Sequence, residues 1–189
     1  MYVLITANRN YSSWSLRPWV LMKGLGIGFE DRVEPFAKPV NYDAFRSFSP
    51  TGQVPALLHE GRTIYDSLGI TLYLADRHDG VWPADPDARA WAQCTVAEMH
   101  SGFAALRNDC TMNVGADFSA ADAFFAPVAF RIRTYGLDVG AGQAWVDHML
   151  AHPAMREWER QALAEEWREE SHEAELAAAG VITADYRHG

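Results

Sequence analysis

Two serines near the N-terminus lie where a hydroxyl group could act on an anion. Ser12 and Ser13 precede an apolar run typical of a helix, and Pro18 places the helix start near Ser15 because proline is tolerated only in a first turn. The N–H groups at a helix N-terminus favour anions, and a hydroxyl group there can lower the pKa of a thiolate. The same serines would serve equally well as helix caps, and the loop alone leaves both roles open.

A second segment, from Ser49 to Leu57, has a glycine two residues before Val54-Pro55 and leads into a short apolar strand. Because Pro55 has no N–H, it cannot join a strand ladder there and marks a bulge, a sheet edge or a cis peptide bond. Each of these alternatives leaves the backbone of Val54 free to pair with a group outside the sheet.

Asp66 and Ser67 form a third segment, directly before an apolar periodic run that contains Leu68, Leu72 and Ala75. Aspartate and serine are residues that commonly begin a helix, so we expect a helix N-terminus here. A free backbone edge beside a helix N-terminus suits an extended, peptide-like, anionic ligand.

Other chemistries fit the sequence less well. A serine hydrolase is disfavoured because the sequence has no Gly-x-Ser-x-Gly elbow and no histidine is placed near Ser12. The sequence also has no glycine-rich phosphate loop, which disfavours a nucleotide enzyme. His148 and His152 have the spacing of helical metal ligands, but no carboxylate motif accompanies them, and a structural or surface role explains them better.

The elements that must position these residues fall into two groups. Residues 1–80 alternate between strand and helix patterns, residues 81–86 are a proline-containing linker, and residues 87–189 are helical throughout. The predicted strands are Tyr2–Thr6, Phe29–Phe36, Val54–Leu58 and Thr63–Tyr65, and the last two flank a hairpin signal at residues 59–62. The predicted helices include Leu16–Leu25, Asp66–Arg77, Asp87–Met112, a helix capped at Ser119, Trp145–Leu150 and Pro153–Trp167. The tail from Glu173 is weakly patterned and is expected to be loose.

Composition limits the partners and the compartment. The net charge of −9 over 189 residues argues against general binding of nucleic acids or anionic membranes. Cys94 and Cys110 lie within one helical pattern, too far apart along the helix for a disulfide, and we expect both to be buried. The N-terminus reads as a strand and no apolar stretch has membrane-spanning length, so we expect a cytoplasmic protein.

Together these segments resemble the cytosolic glutathione S-transferases. Ser49–Leu57 is similar to their Asn-Pro-x-Gly-x-Val-Pro-x-Leu segment, Asp66-Ser67 to their Glu/Gln-Ser pair, and Ser119–Asp122 to a helix cap of their second domain. Tyr11–Trp19 is similar to the serine-type loop of the zeta class. The resemblance covers nearly the whole chain in the right order. It implies an α/β thioredoxin-like N-terminal domain, an all-α C-terminal domain and usually a homodimer.

The resemblance also implies roles at a glutathione site. Ser12 matches the serine that activates the glutathione thiol, and Ser13 is its neighbour and possible substitute. The backbone of Val54 would pair with the cysteinyl part of glutathione, and a cis Pro55 would hold it there.

At the other end of the ligand, Asp66 would meet the γ-glutamyl amine and Ser67 would bind its carboxylate. Lys38 and Gln53 are weaker candidates that could reach the polar ends of the ligand. The substrate pocket for an electrophile would lie between the domains, with walls formed by Trp14, Met99, His100 and Phe103.

The sequence departs from the family pattern at two places. Trp14 occupies the position of the zeta-class cysteine, which removes mixed-disulfide chemistry and disfavours zeta-type isomerisation. A helix that the family has between the positions of Val114 and Ser119 has no counterpart in this sequence, so we expect a C-terminal domain that lacks one helix.

The predicted function is a metal-independent glutathione S-transferase that attacks small hydrophobic electrophiles, as in detoxification. The alternatives are a non-catalytic glutathione-fold module that binds or interacts, and a glutathione-dependent peroxidase or isomerase.

Overall fold

The computed structural model describes residues 1–36, 42–102, 117–179 and 181–187. Its N-terminal part is built on four strands, β1 (Tyr2–Thr6), β2 (Phe29–Val33), β3 (Ala56–His59) and β4 (Arg62–Ile64). They form one mixed sheet in the order β2-β1-β3-β4, in which β1 runs parallel to β2 and antiparallel to β3. The parallel pair requires a crossover connection, which a helix provides.

Eight α-helices and a short 3-10 helix at Gly140–Gly142 complete the described part of the chain. The α-helices are α1 (Ser13–Gly24), α2 (Tyr42–Arg46), α3 (Ser67–Ala75), α4 (Pro86–Ser101), α5 (Ala120–Tyr135), α6 (Gln143–Ala151), α7 (Pro153–Leu163) and α8 (Glu170–Ala179). Helix α1 joins β1 to β2, and the helices from α4 onward follow the sheet without further strands in the described residues. This arrangement confirms the expected fold class, a thioredoxin-like α/β part followed by an all-α part.

Helix α1 carries the core that joins the two parts. It packs against α3 of the N-terminal part of the chain and against α5 and α7 of the C-terminal part. Trp19 is fully buried, and its ring meets that of Trp158 in α7 edge to face with 5.2 Å between ring centroids. The Trp19 Nε1–H donates to Asp31 Oδ2 at 2.7 Å, which satisfies its polar atom inside the core.

Several local predictions are confirmed. The Val54–Pro55 bond is cis, one of the three alternatives that the sequence left open. Ser119 and Asp122 form a reciprocal capping box at the start of α5. The predicted hairpin between β3 and β4 is present, and its tight turn has positive φ at Glu60 and Gly61.

Other local predictions were wrong. Helix α1 begins at Ser13 rather than near Ser15, because the side chain of Ser12 caps it, and Pro18 therefore lies inside the helix. The tail is not loose from Glu173, since α8 spans Glu170–Ala179. Cys94 is exposed on α4 rather than buried. Cys110 and the position of the expected missing helix before Asp117 lie outside the described residues.

Candidate functional site

The sheet brings two of the three predicted segments to the same end. Ile5 near the end of β1 pairs with Ala56 at the start of β3, so Val54 and Pro55 lie beside the loop that follows Thr6. That loop leads directly to the N-terminus of α1. The third segment reaches the same region because α3 packs against α1.

Ser12 lies at this end with its hydroxyl group already in use. The residue is 6% exposed, and its Oγ accepts from the Ser15 N–H at 3.3 Å as the cap of α1. Its own O–H donates to Ser15 Oγ at 2.8 Å, and Ser15 Oγ also accepts from the Ala7 N–H at 3.2 Å. Cap and candidate catalytic group are thus the same side chain, so the two roles that the sequence left open are compatible.

The loop before Ser12 is anchored by a carboxylate from the distant C-terminal part of the chain. Glu165 accepts from the Arg9 N–H at 2.7 Å and 2.9 Å and from the Asn10 N–H at 3.4 Å. The side-chain amide of Asn10 donates to the Ala162 carbonyl at 2.7 Å. Burial raises the pKa of Glu165 from its ordinary value, and the N–H donors oppose this shift.

The residues beyond α7 cover the outside of the same loop. The ring of His172 in α8 stacks on Tyr11 at 5.1 Å and on Phe36 at 5.7 Å between centroids. The Tyr11 hydroxyl donates to Glu173, and Arg187 donates to Glu173 as well. The C-terminal segment therefore covers the loop that precedes Ser12, which the weak sequence pattern gave no reason to expect.

Asp66 and Ser67 lie at the N-terminus of α3, as predicted. Asp66 Oδ1 accepts from the Leu68 N–H at 2.8 Å and the Gly69 N–H at 3.1 Å, which makes it the N-cap. Its other oxygen, Oδ2, lies 3.3 Å from Nε2 of His100, a residue of α4. Ser67 is fully buried, and its Oγ has no hydrogen-bond partner among the described residues.

Arg17 completes this end of the site and was missed by sequence reasoning. Its side chain is 6% exposed, and its guanidinium lies over the Trp14 ring at 4.0 Å from the ring centroid. Burial and nearby Arg131 lower its pKa to about 10, which leaves it a cation at neutral pH, and Asp66 opposes the shift. A basic residue among the apolar residues of α1 was the signal that could have identified it, since unpaired charges are rarely buried.

The other predicted site residues have different positions. Trp14 is half-exposed, and its ring meets that of His100 edge to face at 5.5 Å between centroids. Gln53 is exposed, and Met99 is only 4% exposed within the core cluster. Ser13 is partly exposed at the start of α1. Lys38 and Phe103 lie outside the described residues.

Of the two histidines with helical metal spacing, His152 has local structural contacts. His152 Nδ1 accepts from the Ala154 N–H at 3.3 Å at the start of α7, and its ring stacks on Phe118 with 4.7 Å between centroids. Within the described ranges, no three His, Cys, Asp or Glu side chains are grouped to hold a metal ion. In the same ranges no helix is both long and apolar enough to cross a bilayer.

Comparison with known proteins gives this geometry a family context. Residues 11–77 match the family described as the N-terminal domain of glutathione S-transferases. Protein LigF of Sphingobium sp. strain SYK-6 is 37% identical over 40% of this chain and 32% of its own length. Mouse glutathione S-transferase theta-1 is 38% identical over 36% of this chain and 28% of its own length. A probable maleylacetoacetate isomerase of Caenorhabditis elegans is 28% identical over 56% of this chain and 50% of its own length. The chain thus spans half or less of the length of these curated relatives.

Solved structures resemble the chain over a much larger part of its length. A glutathione transferase homologue from Burkholderia, crystallised with bound glutathione, has a TM-score of 0.67 at 24% identity, covering 85% of this chain and 97% of that chain. Glutathione transferase Omega 3C from Trametes versicolor has a TM-score of 0.69 at 17% identity, and the match covers 94% of this chain and 90% of that chain. The chain therefore has the glutathione transferase fold.

Proposed function

We propose that this chain is a glutathione transferase in which Ser12 stabilises the thiolate of glutathione for attack on small hydrophobic electrophiles. The observation that carries the proposal is the buried Ser12 hydroxyl at the N-cap of α1, on the sheet end that also holds the cis Val54–Pro55 bond. The N-terminal family match and the fold support it. The zeta-like subclass, suggested by the loop around Ser12, is part of this proposal.

The chemistry needs little more than a positioned donor. When glutathione binds, the Ser12 O–H turns from Ser15 Oγ to the sulfur, while the Ala7 N–H continues to occupy Ser15 Oγ. A hydrogen bond to the charged form and the partial positive charge of the helix N-terminus both lower the thiol pKa, so its proton is released to solvent. The thiolate then forms a sulfur–carbon bond with the electrophile, whose leaving group departs with the electron pair.

The rest of the peptide would be held along the sheet end. The backbone of Val54 would pair with the cysteinyl unit, next to Pro55. Asp66 would bind the γ-glutamyl ammonium and Ser67 its carboxylate, where the N-terminus of α3 also favours an anion. Gln53, which is exposed, and Lys38 remain candidates for the glycine end.

The electrophile would lie against the aromatic surface between the two parts of the chain. Trp14 is half-exposed and contacts His100 of α4, so an apolar substrate placed there would reach both parts. Met99 lies one residue earlier in α4, but it is nearly fully buried and would support this wall from behind. Phe103 remains a candidate of the same kind.

Calorimetry with glutathione and conjugation of 1-chloro-2,4-dinitrobenzene test the proposal on the full chain. Ser12→Ala is expected to lower kcat/KM by about 100-fold, the effect of removing one donor to a reacting anion, while glutathione affinity changes little. Ser47→Ala, an exposed serine, is the matched control. A wild-type chain that binds no glutathione would refute the proposal. Turnover that survives Ser12→Ala would move the role to Ser13 or to backbone N–H groups, as a Ser12→Ala/Ser13→Ala double variant would show.

A second candidate function is a glutathione-binding module without turnover. The burial of Ser12 and the engagement of its hydroxyl by Ser15 favour it, because a group satisfied within the protein gains less by turning to a ligand. Binding in the calorimeter without conjugation would support the module. Parallel assays with peroxides and with maleylacetoacetate cover the peroxidase and isomerase alternatives.

The proposal includes a homodimer in the cytoplasm. Three large apolar side chains are exposed near one another in the fold: Tyr65 just before α3, Leu72 on α3 and Trp91 on α4. Helices α3 and α4 pack together. A second copy of the chain covering this surface would bury them. Sedimentation should give a dimer that Leu72→Glu converts to a monomer, whereas Leu137→Glu, another half-exposed leucine, should remain dimeric.

A further inference from the structure

His172 of α8 contacts both chain segments that support Ser12. Its ring stacks on Tyr11, the residue directly before Ser12, and on Phe36, which follows β2. The two segments are joined through Asn8, because the Phe36 N–H donates to Asn8 Oδ1 at 2.7 Å and the Ser12 N–H donates to the Asn8 carbonyl at 2.9 Å. The His172 ring therefore bears on the backbone that carries the Ser12 hydroxyl, although it lies in the distant C-terminal part of the chain.

A carboxylate at the same end of α8 fixes the orientation of this ring. Hydrogen bonds, the strongest of them from the Ser171 hydroxyl, lower the pKa of Glu169 to about 2, so Glu169 is ionised and can only accept. The His172 Nδ1–H therefore donates to Glu169 Oε2 at 2.6 Å, and the same oxygen accepts from the His172 backbone N–H at 2.9 Å. The two bonds restrict rotation of the ring and keep its face against Tyr11.

The hydroxyl group of Tyr11 is held by the same part of the chain. It donates to Glu173, and it accepts from the Glu169 N–H and from Arg187 Nη1, each at 3.4 Å. A phenol has a single hydrogen to donate, and here it is in use. Tyr11 is therefore a fixed point for the loop, and all of these contacts come from α8 and the residues on either side of it.

We propose that His172 is a positioning residue for thiolate stabilisation, acting through Tyr11 to fix the place of the Ser12 hydroxyl. This inference rests on the proposed function and adds α8 to the groups that serve it. A misplacement of about 1 Å at a reacting group can cost about 100-fold in rate, so the restraint on Tyr11 should affect the chemical step. The proposed peptide contacts at Val54 and at the start of α3 are made by other elements, so glutathione affinity should change little.

Amide hydrogen exchange on the full chain without ligand tests the positioning itself. His172→Ala should accelerate exchange of the Ser12 N–H by about 2- to 10-fold, the range for the loss of one stacked ring pair. His172→Phe, which keeps a ring for stacking but not the bond to Glu169, should restore most of the protection. His148→Ala is the matched control, because this histidine is exposed on α6, and it should leave exchange at Ser12 unchanged.

Conjugation of 1-chloro-2,4-dinitrobenzene and the ultraviolet absorbance of the bound thiolate measure the effect on chemistry. His172→Ala should lower kcat by about 10-fold, while KM for glutathione and the calorimetric affinity stay near the wild-type values. In a pH titration of the thiolate absorbance, the midpoint should move upward by up to about one pH unit, because a less well-placed hydroxyl stabilises the anion less. His172→Phe should recover most of both quantities.

The results separate this inference from the proposed function. If His172→Ala lowers only Tm and leaves Ser12 exchange, kcat and the thiolate titration unchanged, the ring merely stabilises the fold and the inference is overturned. Weaker glutathione binding with unchanged kcat would overturn it as well. A wild-type chain that binds no glutathione would refute both proposals. His172→Gln, which keeps a donor for Glu169 but has no ring, should show the same losses and covers the case in which His172→Ala does not fold.

Discussion

The two ends of the candidate site differ in which of their polar groups are paired within the chain. Around Ser12, the Ser12 hydroxyl and the Arg9 N–H are paired with Ser15 and Glu165, whereas Nδ2 of Asn8 and Nη1 of Arg9 are buried without a partner in the described residues. Around α3, Arg17 and Ser67 are buried with donors unpaired in the described residues. We therefore expect the paired Ser12 hydroxyl and its loop to contribute mainly to stability, and the groups at the start of α3 to contribute mainly to the proposed ligand binding. Substitutions at the first end should therefore cost stability, and those at the second should cost affinity.

The largest effect on stability is expected from Glu165→Ala. It leaves the buried N–H of Arg9 and the partly buried N–H of Asn10 without this partner, and the free energy of unfolding should fall by about 3 kcal/mol. Chemical denaturation measures this. The adjacent Glu166 is exposed, so Glu166→Ala is the control and should leave stability nearly unchanged. Equal effects from the two variants would show that the loop before Ser12 does not depend on this anchor.

Ser15→Ala tests the satisfied end directly. Its Oγ accepts from both the Ala7 N–H and the Ser12 O–H, and its removal should lower the free energy of unfolding by about 2 kcal/mol. Glutathione affinity, measured by calorimetry, should change little because the α3 end is untouched. A variant that is fully stable but binds glutathione much more weakly would reverse the proposed contrast between the two ends.

Substitutions of Asp66 separate capping from ligand binding at the second end. Asp66→Ala removes the cap of α3 and should cost about 1 kcal/mol of stability, whereas Asp66→Asn keeps an acceptor for the Leu68 and Gly69 N–H groups and should cost much less. Both should weaken glutathione binding, because each removes the negative charge proposed to meet the ammonium group. Retention of full affinity by Asp66→Asn would contradict that role.

The smallest effect is a pH dependence at the Ser12 end. Burial raises the pKa of Glu165 above its ordinary value of 4.5, so the folded chain holds this proton more tightly than the unfolded chain. The carboxyl group thus contributes its full stability below pH 4.5 and loses part of it as the pH rises through the raised pKa. Denaturation at several pH values should show the wild type losing stability relative to Glu165→Gln over this window. A difference that is flat or opposite in sign would show that the pKa is not raised.

The sequence predicted well those features that depend on neighbouring residues. The Asp66 cap, the capping box of Ser119 and Asp122 and the tight turn before β4 each depend on hydrogen bonds or dihedral preferences within a few residues. The start of α1 was predicted near Ser15 rather than at Ser13, because Pro18 was expected to lie in the first turn of the helix. Ser12 capped the helix earlier, and the helix accommodated the proline in its interior.

Long-range contacts were beyond the reach of such reasoning. Glu165 meets Arg9 across 156 positions of sequence, and His172 of α8 stacks on Tyr11 from a region whose pattern predicted a loose tail. Acidic residues in a charged run are usually solvated, and no local signal distinguishes the one that folding buries.

The sequence by itself determined where the caps of α3 and α5 and the hairpin lie, and which serine is the candidate thiol-activating group, because those depend on short-range geometry. Only the tertiary structure decided which of these groups are satisfied and which are not. The packing of α1 between the two parts of the chain buries Arg17 beside Trp14 and brings His100 of α4 to Asp66. Burial and pairing are properties of the packed chain, and they set the energetic difference between the two ends of the site.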